Sequence, residues 1–425
     1  MKSSERILIQ NGRVIDPSQG IDRIANVLIA GGRIVELDGK PSGDCFILDA
    51  TDRIVAPGFV DPHVELREPG CEEDGTIETE TAAALAGGFT SIACLPNSEP
   101  PLDTQAGVEF VHQKASRAKN VNVFAIACVS KNREGKELSE MGALAEAGAV
   151  AFSDAPRPVF NTDLLRRAFE YSQMFQKPIF DRPEVLELTH GGVMHEGRTS
   201  LVLGLTGMPV EAEEVATSRD LRLAEATGGR LHLVNISAAG SVELVRRAKT
   251  RGVKVTASAS IANLVLTDER LRTFDTNYKV NPPLRSADHV ECCLAGIVDG
   301  TIDVISSGHA PRAAEKKMRE LDQAPFGMNM LELTLALANT HLIHPGLIDW
   351  PVLLARLTCN PARILGISKG TLRPGADADV VVIDPHARWT VDPLAMKSKS
   401  SNTPFGGVEL IGRIDHALVG GELRF

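Results

Sequence analysis

A histidine and a carboxylate stand two residues apart in the stretch PGFVDPHVELREPG, residues 57–70. The two residues are His63 and Glu65, and imidazole and carboxylate groups are both ligands of zinc. The spacing is typical of a metal-binding strand, except that a second histidine is expected where this chain has Glu65. The stretch therefore leaves two readings open, a ligand exchange that keeps a metal site or a change that marks its loss.

The stretch that carries His63 is the first of eight apolar runs that alternate with helix-like segments. The runs cover 54–65, 91–97, 121–129, 149–154, 178–182, 231–236, 253–258 and 302–308. Eight such runs predict a (β/α)8 barrel, and barrel enzymes build their sites at the C-terminal ends of the strands. The residues at these ends are His63, Glu65, Asn97, Ser130, Asp154, Arg182, Asn235, Ser258, Gly308 and His309.

Both ends of the chain show a different pattern, in which short strand-like runs are separated by turn signals. RILIQNGRVID and NVLIAGGRIVEL lie near the N-terminus, and ADADVVVIDP and RIDHALVGGELRF lie near the C-terminus. Asn-Gly and Gly-Gly pairs suit tight hairpins, which need positive φ. We therefore predict an α/β protein with a (β/α)8 TIM-type barrel over 56–366 and a small β-sandwich domain formed by both termini, 1–55 and 367–425.

The composition argues against several classes of function. With 45 basic and 55 acidic residues, the net charge of −10 lacks the basic character of a nucleic-acid or anionic-membrane binder. Seven cysteines without a C-x-x-C pair indicate reduced thiols. The N-terminus lacks the apolar region of a signal peptide, and no apolar run is long enough to span a bilayer. We expect a soluble, cytoplasmic oligomer that binds neither nucleic acid nor membrane.

Seven ordered motifs resemble the amidohydrolase superfamily and, within it, the long type I dihydroorotases. The motifs are PGFVDPHVELREPG, AGGFTSIACLPNSEP, VNPPLR, SGHAPR, APFGMNMLEL, NPARILGI and GTLRPGADADVVVIDP. The resemblance extends over nearly the whole chain and implies a barrel with a β-sandwich built from both termini. It also implies a zinc centre that polarises the amide carbonyl of dihydroorotate and activates a water, with an aspartate after the last strand to move the proton.

The positions that form the zinc centre in the resembled family are altered in this chain. His63 and Asp154 match the family, and the altered positions are Glu65, Arg182, Asn235 and Gly308. A guanidinium has no lone pair to donate, and an amide oxygen is a poor zinc donor beside imidazole. Glycine cannot replace the aspartate that serves as the general base. We therefore expect no bound metal, no cofactor and no catalytic residue at these positions.

The loss of a metal would leave the carboxylates of Glu65 and Asp154 without a neutralising charge. Buried carboxylates are costly unless a cation is close. Arg182 is the only new cation at a strand end. The sequence therefore predicts an ion pair between Arg182 and one or both of these carboxylates.

The positions that contact substrate in the resembled family are retained. They are Arg67, Asn97, Asn281 and His309. An arginine is suited to a bidentate grip on a carboxylate. The pocket is therefore expected to keep weak affinity for a dihydroorotate-like anion, unless these residues persist only as structural hydrogen-bonding groups.

An intact scaffold with an altered centre leads to the hypothesis of a catalytically inactive dihydroorotase-like protein of pyrimidine biosynthesis. The resemblance implies that such a protein is a non-catalytic partner subunit of the aspartate carbamoyltransferase catalytic chain. The alternative is an active zinc-dependent dihydroorotase, or a related cyclic amidohydrolase, with an atypical metal site. A third reading is a sensor that binds a pyrimidine precursor without metal.

Overall fold

A barrel of eight parallel strands forms the centre of the computed structural model, which describes residues 6–40 and 45–425. Neighbouring strands follow one another in chain order, so each βα unit adds one strand beside the previous one. Each predicted run overlaps one of these strands. The barrel strands are β1 (Phe59–Val64), β2 (Phe89–Cys94), β3 (Asn122–Ala127), β4 (Ala151–Ser153), β5 (Ile179–Asp181), β6 (Leu231–Leu233), β7 (Val255–Ser260) and β8 (Val304–Ser306).

Hydrogen bonds between β1 and the segment after β8 close the barrel. The buried carboxylate of Asp61 accepts bonds from the backbone amides of His63 at 3.2 Å and Ser307 at 3.0 Å. One step further, the amide of Glu65 donates to the carbonyl of His309 at 3.2 Å. The first and last strand ends are thereby held together, and the residues that follow them lie at the same edge.

Helices cover the outside of the barrel, and the first of them begins and ends at residue types that favour a helix boundary. Thr76 caps the first helix by accepting a bond from the amide of Thr79 at 3.1 Å, and Gly87 follows its last turn. The α-helices are Ile77–Ala86, Gln105–Ala118, Met141–Glu146, Thr162–Ser172, Leu186–Thr189, Arg198–Leu203, Glu211–Thr227, Ala239–Thr250, Ile261–Val265, Ala287–Asp299, Ala314–Lys317, Thr334–Ala338, Trp350–Leu357 and Cys359–Leu365.

Strands from both ends of the chain form a second sheet, which confirms the predicted fold of a TIM-type barrel with a β-sandwich domain. Ile54–Pro57 pairs parallel to Arg6–Asp16 and antiparallel to Val380–Thr390, so this strand joins the two termini. The remaining strands of the sheet are Ile21–Ala30, Arg33–Leu37, Cys45–Asp49, Glu409–Val419 and Glu422–Leu423. The boundaries 1–55, 56–366 and 367–425 stay a prediction, and residues 1–5 and 41–44 lie outside the described residues.

The segment 398–402, in the C-terminal part of the chain, returns to the barrel. The hydroxyl of Ser398 donates to Glu80 at 2.6 Å, and the side-chain oxygen of Asn402 accepts from the amide of Arg312 at 3.0 Å. Asn329 donates to the carbonyl of Ser400 at 2.6 Å. Residues that the sequence assigns to the terminal domain therefore support the loop after β8.

Two further observations bear on the expectations from composition. All seven cysteines are free thiols. Within residues 6–40 and 45–425, no helix has the length and apolar character needed to cross a membrane.

We predict that the Asp61→Ala variant is less stable than the unaltered protein by about 2–4 kcal/mol, because two buried amides lose their acceptor. Urea unfolding followed by circular dichroism measures the change. Glu146→Ala, which removes an exposed carboxylate at the end of a helix, is the control and should change stability by less than about 0.5 kcal/mol. Equal stability of the two variants would contradict the closing role of Asp61.

Candidate active site

A cavity of about 390 Å³ opens at the C-terminal ends of the barrel strands. Its volume lies within the range of about 300–1,000 Å³ that small-molecule sites occupy. The predicted residues at its wall are His63, Glu65, Arg182, Asn235, Asn281, Gly308 and His309. The cavity thus brings together most of the residues that the sequence singles out, while Arg67, Asn97 and Asp154 do not line it.

A neutral hydrogen-bond network connects the ends of β1, β6, β7 and β8. His63 Nε2 lies 2.9 Å from the hydroxyl of Ser258, and the side-chain oxygen of Asn235 accepts from the hydroxyl of Ser306 at 2.6 Å. Ser258 also donates to Asn235 at 3.4 Å. Burial lowers the pKa of His63, so its imidazole is neutral at pH 7.

Glu65 forms a buried ion pair with Arg67, two residues further along the chain. The carboxylate also accepts a hydrogen bond from the side-chain amide of Asn97 at 2.9 Å, and Arg67 Nε donates to the carbonyl of Pro311 at 3.1 Å. Burial would raise the pKa of Glu65, but the charges of Arg67 and Arg312 outweigh it and hold the pKa below its ordinary value. Glu65 is therefore ionised.

The predicted ion pair of Arg182 with Glu65 or Asp154 is wrong. Arg182 is buried at the end of β5 and forms its ion pair with Glu184. Its Nη1 donates to the carbonyl of Asn281 at 3.4 Å, and Glu184 also accepts from Thr189 at 2.6 Å. The β5 end carries its own carboxylate, so the arginine is neutralised by the residue two positions later.

Asp154 is satisfied by the loop that follows β3. Its carboxylate accepts bonds from the amides of Val129 and Ser130, both at 3.0 Å, and from the hydroxyl of Ser130. Burial nevertheless raises the pKa of Asp154 to about 6, against the opposing effect of these donors. The carboxylate thus serves as the acceptor for a tight loop.

Gly308 has a backbone conformation that disfavours the aspartate of the resembled family. Its φ is +64°, in the left-handed region, and a Cβ atom at this position would lie 2.8 Å from the Cβ of Ser260. A side chain at position 308 would therefore collide with the end of β7, so this backbone accommodates glycine.

His309 borders the cavity, but both ring nitrogens are engaged elsewhere. Nε2 lies 2.8 Å from Glu80, and Nδ1 accepts from the amide of Met330 at 3.2 Å. The second bond fixes the proton on Nε2, which donates to Glu80. The histidine therefore holds the loop after β8 against the first helix, while the ring surface borders the cavity.

The residues at the ligand positions of the resembled family do not fit a zinc centre in the arrangement observed. Within the described part of the chain, the one group of three ligand side chains close enough to share an ion is Cys71, Glu73 and Asp74. That group lies in the loop between β1 and the first helix, and Lys316 already pairs with Glu73 and Asp74. The Nε2 atom of His63 and the carboxylates of Glu65 and Asp154 are instead engaged by protein neighbours.

Sequence reasoning missed three charged residues of the cavity wall, which are Arg157, Glu184 and Arg312. Glu184 could have been found, because it stands two residues after Arg182 in DRPE and both side chains leave the strand end together. Arg157 and Arg312 lie in loops, and their approach to the cavity has no local sequence signal.

The fold and the position of the cavity define a barrel protein of the amidohydrolase superfamily. A family model described as dihydro-orotase-like matches residues 52–241. Proteins named dihydroorotase from Pelotomaculum thermopropionicum and Geobacter metallireducens are 47% and 46% identical, and the alignments cover 98–99% of this chain and of each relative. The chain belongs to the dihydroorotase-like family. The fold is also similar to that of the L-hydantoinase from Arthrobacter aurescens, with a TM-score of 0.88 at 24% identity over 98% of this chain and 95% of that one.

These relatives overturn two expectations. The hypothesis of a catalytically inactive, non-catalytic subunit is wrong, because full-length relatives at 45–47% identity are named as the enzyme. The expectation of no cofactor, which was drawn from the altered ligand positions, is wrong with it, because the resemblance attaches zinc to the activity that these names state. Association with the aspartate carbamoyltransferase chain is a separate matter and stays a prediction.

We predict that Arg182→Met lowers the free energy of unfolding by about 3–5 kcal/mol, because it leaves Glu184 buried without its cation. The double variant Arg182→Met/Glu184→Gln should recover much of this loss. A double-mutant cycle by urea unfolding measures the coupling. A coupling below about 0.5 kcal/mol would contradict the ion pair as the reason for the burial of both side chains.

A pH series tests the environment of Asp154, whose pKa is raised from 3.8 to about 6. The folded state binds the proton of the Asp154 carboxyl more tightly than the unfolded state does. The stabilisation from this carboxyl is therefore complete below pH 3.8 and is lost as the pH rises through about 6. The stability of the unaltered protein relative to Asp154→Asn should therefore fall over this range and stay constant above about pH 7. A difference that does not change with pH, measured by urea unfolding, would show that the carboxyl is not shifted.

Proposed function

We propose that this chain is a cyclic amide hydrolase of the dihydroorotase type, which opens and closes the ring of dihydroorotate. The observation that carries the proposal is the cavity at the strand ends, whose wall holds Arg157, Arg182 and Arg312 against the carboxylates of Glu65 and Glu184. Glu65 is already neutralised by Arg67, which does not line the cavity. The cavity is therefore suited to a small ring that carries a negative charge. The relatives named dihydroorotase support the same substrate.

Ring opening requires stabilisation of negative charge on the amide carbonyl oxygen and a group that accepts a proton from water. Arg182 and Asn281 present a guanidinium and an amide at the β5 side of the cavity. His63 lines the opposite side as a neutral imidazole whose Nε2 is bonded to Ser258. We assign carbonyl polarisation to Arg182 and proton acceptance to His63. Because the ligand positions do not fit zinc as observed, no step is assigned to a metal.

We predict that the purified protein converts dihydroorotate to carbamoyl aspartate, and that His63→Gln lowers kcat by at least about 100-fold. Chromatography of the two compounds measures turnover in both directions. Zinc is added to one series, since the resemblance implies it. The exposed Arg167→Gln variant, on the helix Thr162–Ser172, is the control and should retain activity. Turnover no higher than that of His63→Gln, with and without zinc, would refute the proposal.

A further inference from the structure

The segment 318–327 separates one side of the cavity from solvent. It follows the short helix after β8, and its last three residues, Pro325, Phe326 and Gly327, line the cavity. On the outer side, the side chain of Met318 is 82% exposed. The segment contains turns but neither helix nor strand. Its position therefore depends on bonds from other parts of the protein.

Two lysine side chains supply such bonds, and both donate to backbone carbonyls. Lys279 Nζ donates to the carbonyls of residues 321–322 at 2.7 and 3.2 Å. Lys317 Nζ donates to the carbonyls of Pro325 and Gly327, both at 3.0 Å. The amide of Gly327 in turn donates to the carbonyl of Lys279 at 3.0 Å. The residues that line the cavity are thus held from behind by two amino groups.

The two amino groups differ in how many partners they find. An ammonium group has three N–H donors. Lys279 bonds to two carbonyls and lies 4.8 Å from the centre of the Phe326 ring, so its third side faces an aromatic surface that favours a cation. Lys317 has two carbonyl acceptors, which match the two N–H bonds of a neutral amine. The surroundings of Lys317 therefore suit the uncharged form.

The charges around Lys317 favour the same form. Lys317 and Lys279 are 7% and 3% exposed, and no carboxylate of the residues described by the structure forms an ion pair with either. A buried charge without a counter-ion is costly. Burial lowers the pKa of Lys317 to about 7, and the charges of Arg312 and Lys279 act in the same direction. Asp275 is the group that opposes them.

We propose that Lys317 is a positioning residue that holds the segment 318–327 as a wall of the cavity, and that opening of this wall takes up one proton at the Lys317 amine. When the segment moves away, water replaces the two carbonyls around Nζ. The lone pair of the amine then accepts a proton from solvent, and no other covalent bond changes. The device acts on any ligand that enters the cavity, so it goes beyond the proposed function.

The direction of the pH dependence follows from proton uptake on opening. With the wall closed the amine titrates at about 7, and with the wall open it regains the ordinary lysine pKa of 10.5. Below about pH 7 both states are protonated, so the opening equilibrium does not change. Between about 7 and 10.5 only the open state holds the proton, and each pH unit disfavours opening by about tenfold.

Hydrogen exchange of the segment 318–327, followed by mass spectrometry from pH 6 to 8.5, tests the proposal. Protection is calculated after correction for the intrinsic exchange rate at each pH. In the unaltered protein it should stay constant up to about pH 7 and rise at least about tenfold by pH 8.5. Lys317→Met should remove this rise. Lys254→Met, at an exposed lysine that donates to the carbonyl of Gly228 at 3.1 Å, is the matched control and should retain it.

The outcomes are distinct from those of the hydrolase assay, because exchange is measured without substrate. Protection that is independent of pH in the unaltered protein, or that rises equally in Lys317→Met, overturns the role of Lys317. Lys317→Gln keeps a donor and cannot titrate, so it replaces the methionine variant if that variant does not fold. A rise confined to proteins with Lys317 supports the role, even if the protein shows no turnover of dihydroorotate.

Discussion

The chemistry of the barrel mouth depends on the ion pair between Glu65 and Arg67. A carboxylate buried beside β1 needs a cation within a few ångströms, and Arg67 supplies it from the same segment of chain. This pairing fixes the roles of the other arginines. Arg182 pairs with Glu184 instead, and Arg157 lines the cavity from the loop after β4. One local ion pair therefore decides where the cavity offers positive charge to a ligand.

The remaining polar groups at the strand ends are satisfied in the same local manner. Asp154 accepts from the loop after β3, and Ser258 connects His63 with Asn235. Each arrangement pairs a buried polar atom with a neighbour from the next strand or loop, as buried polar groups require. The result is a cavity wall of hydrogen-bonded polar groups that includes a neutral histidine and a charged arginine.

The C-terminal segment extends this wall beyond the barrel. Ser398 and His309 both contact Glu80, so the first helix, the loop after β8 and the returning chain share one buried carboxylate. Asn402 holds the backbone of Arg312. Although the terminal sheet has its own apolar core, the segment that leaves it contributes to the position of the site.

The sequence by itself determined the barrel, the two-ended sheet and the residues at the strand ends, because apolar periodicity and turn residues are local signals. It placed His63, Arg182 and Asn281 at one cavity correctly. It did not determine the partner of each charge, since Arg182 was expected to neutralise Glu65 or Asp154. Only the tertiary structure decided this, because ion pairing depends on distances between side chains at neighbouring strand ends. Those distances place Arg67 beside Glu65 and Glu184 beside Arg182.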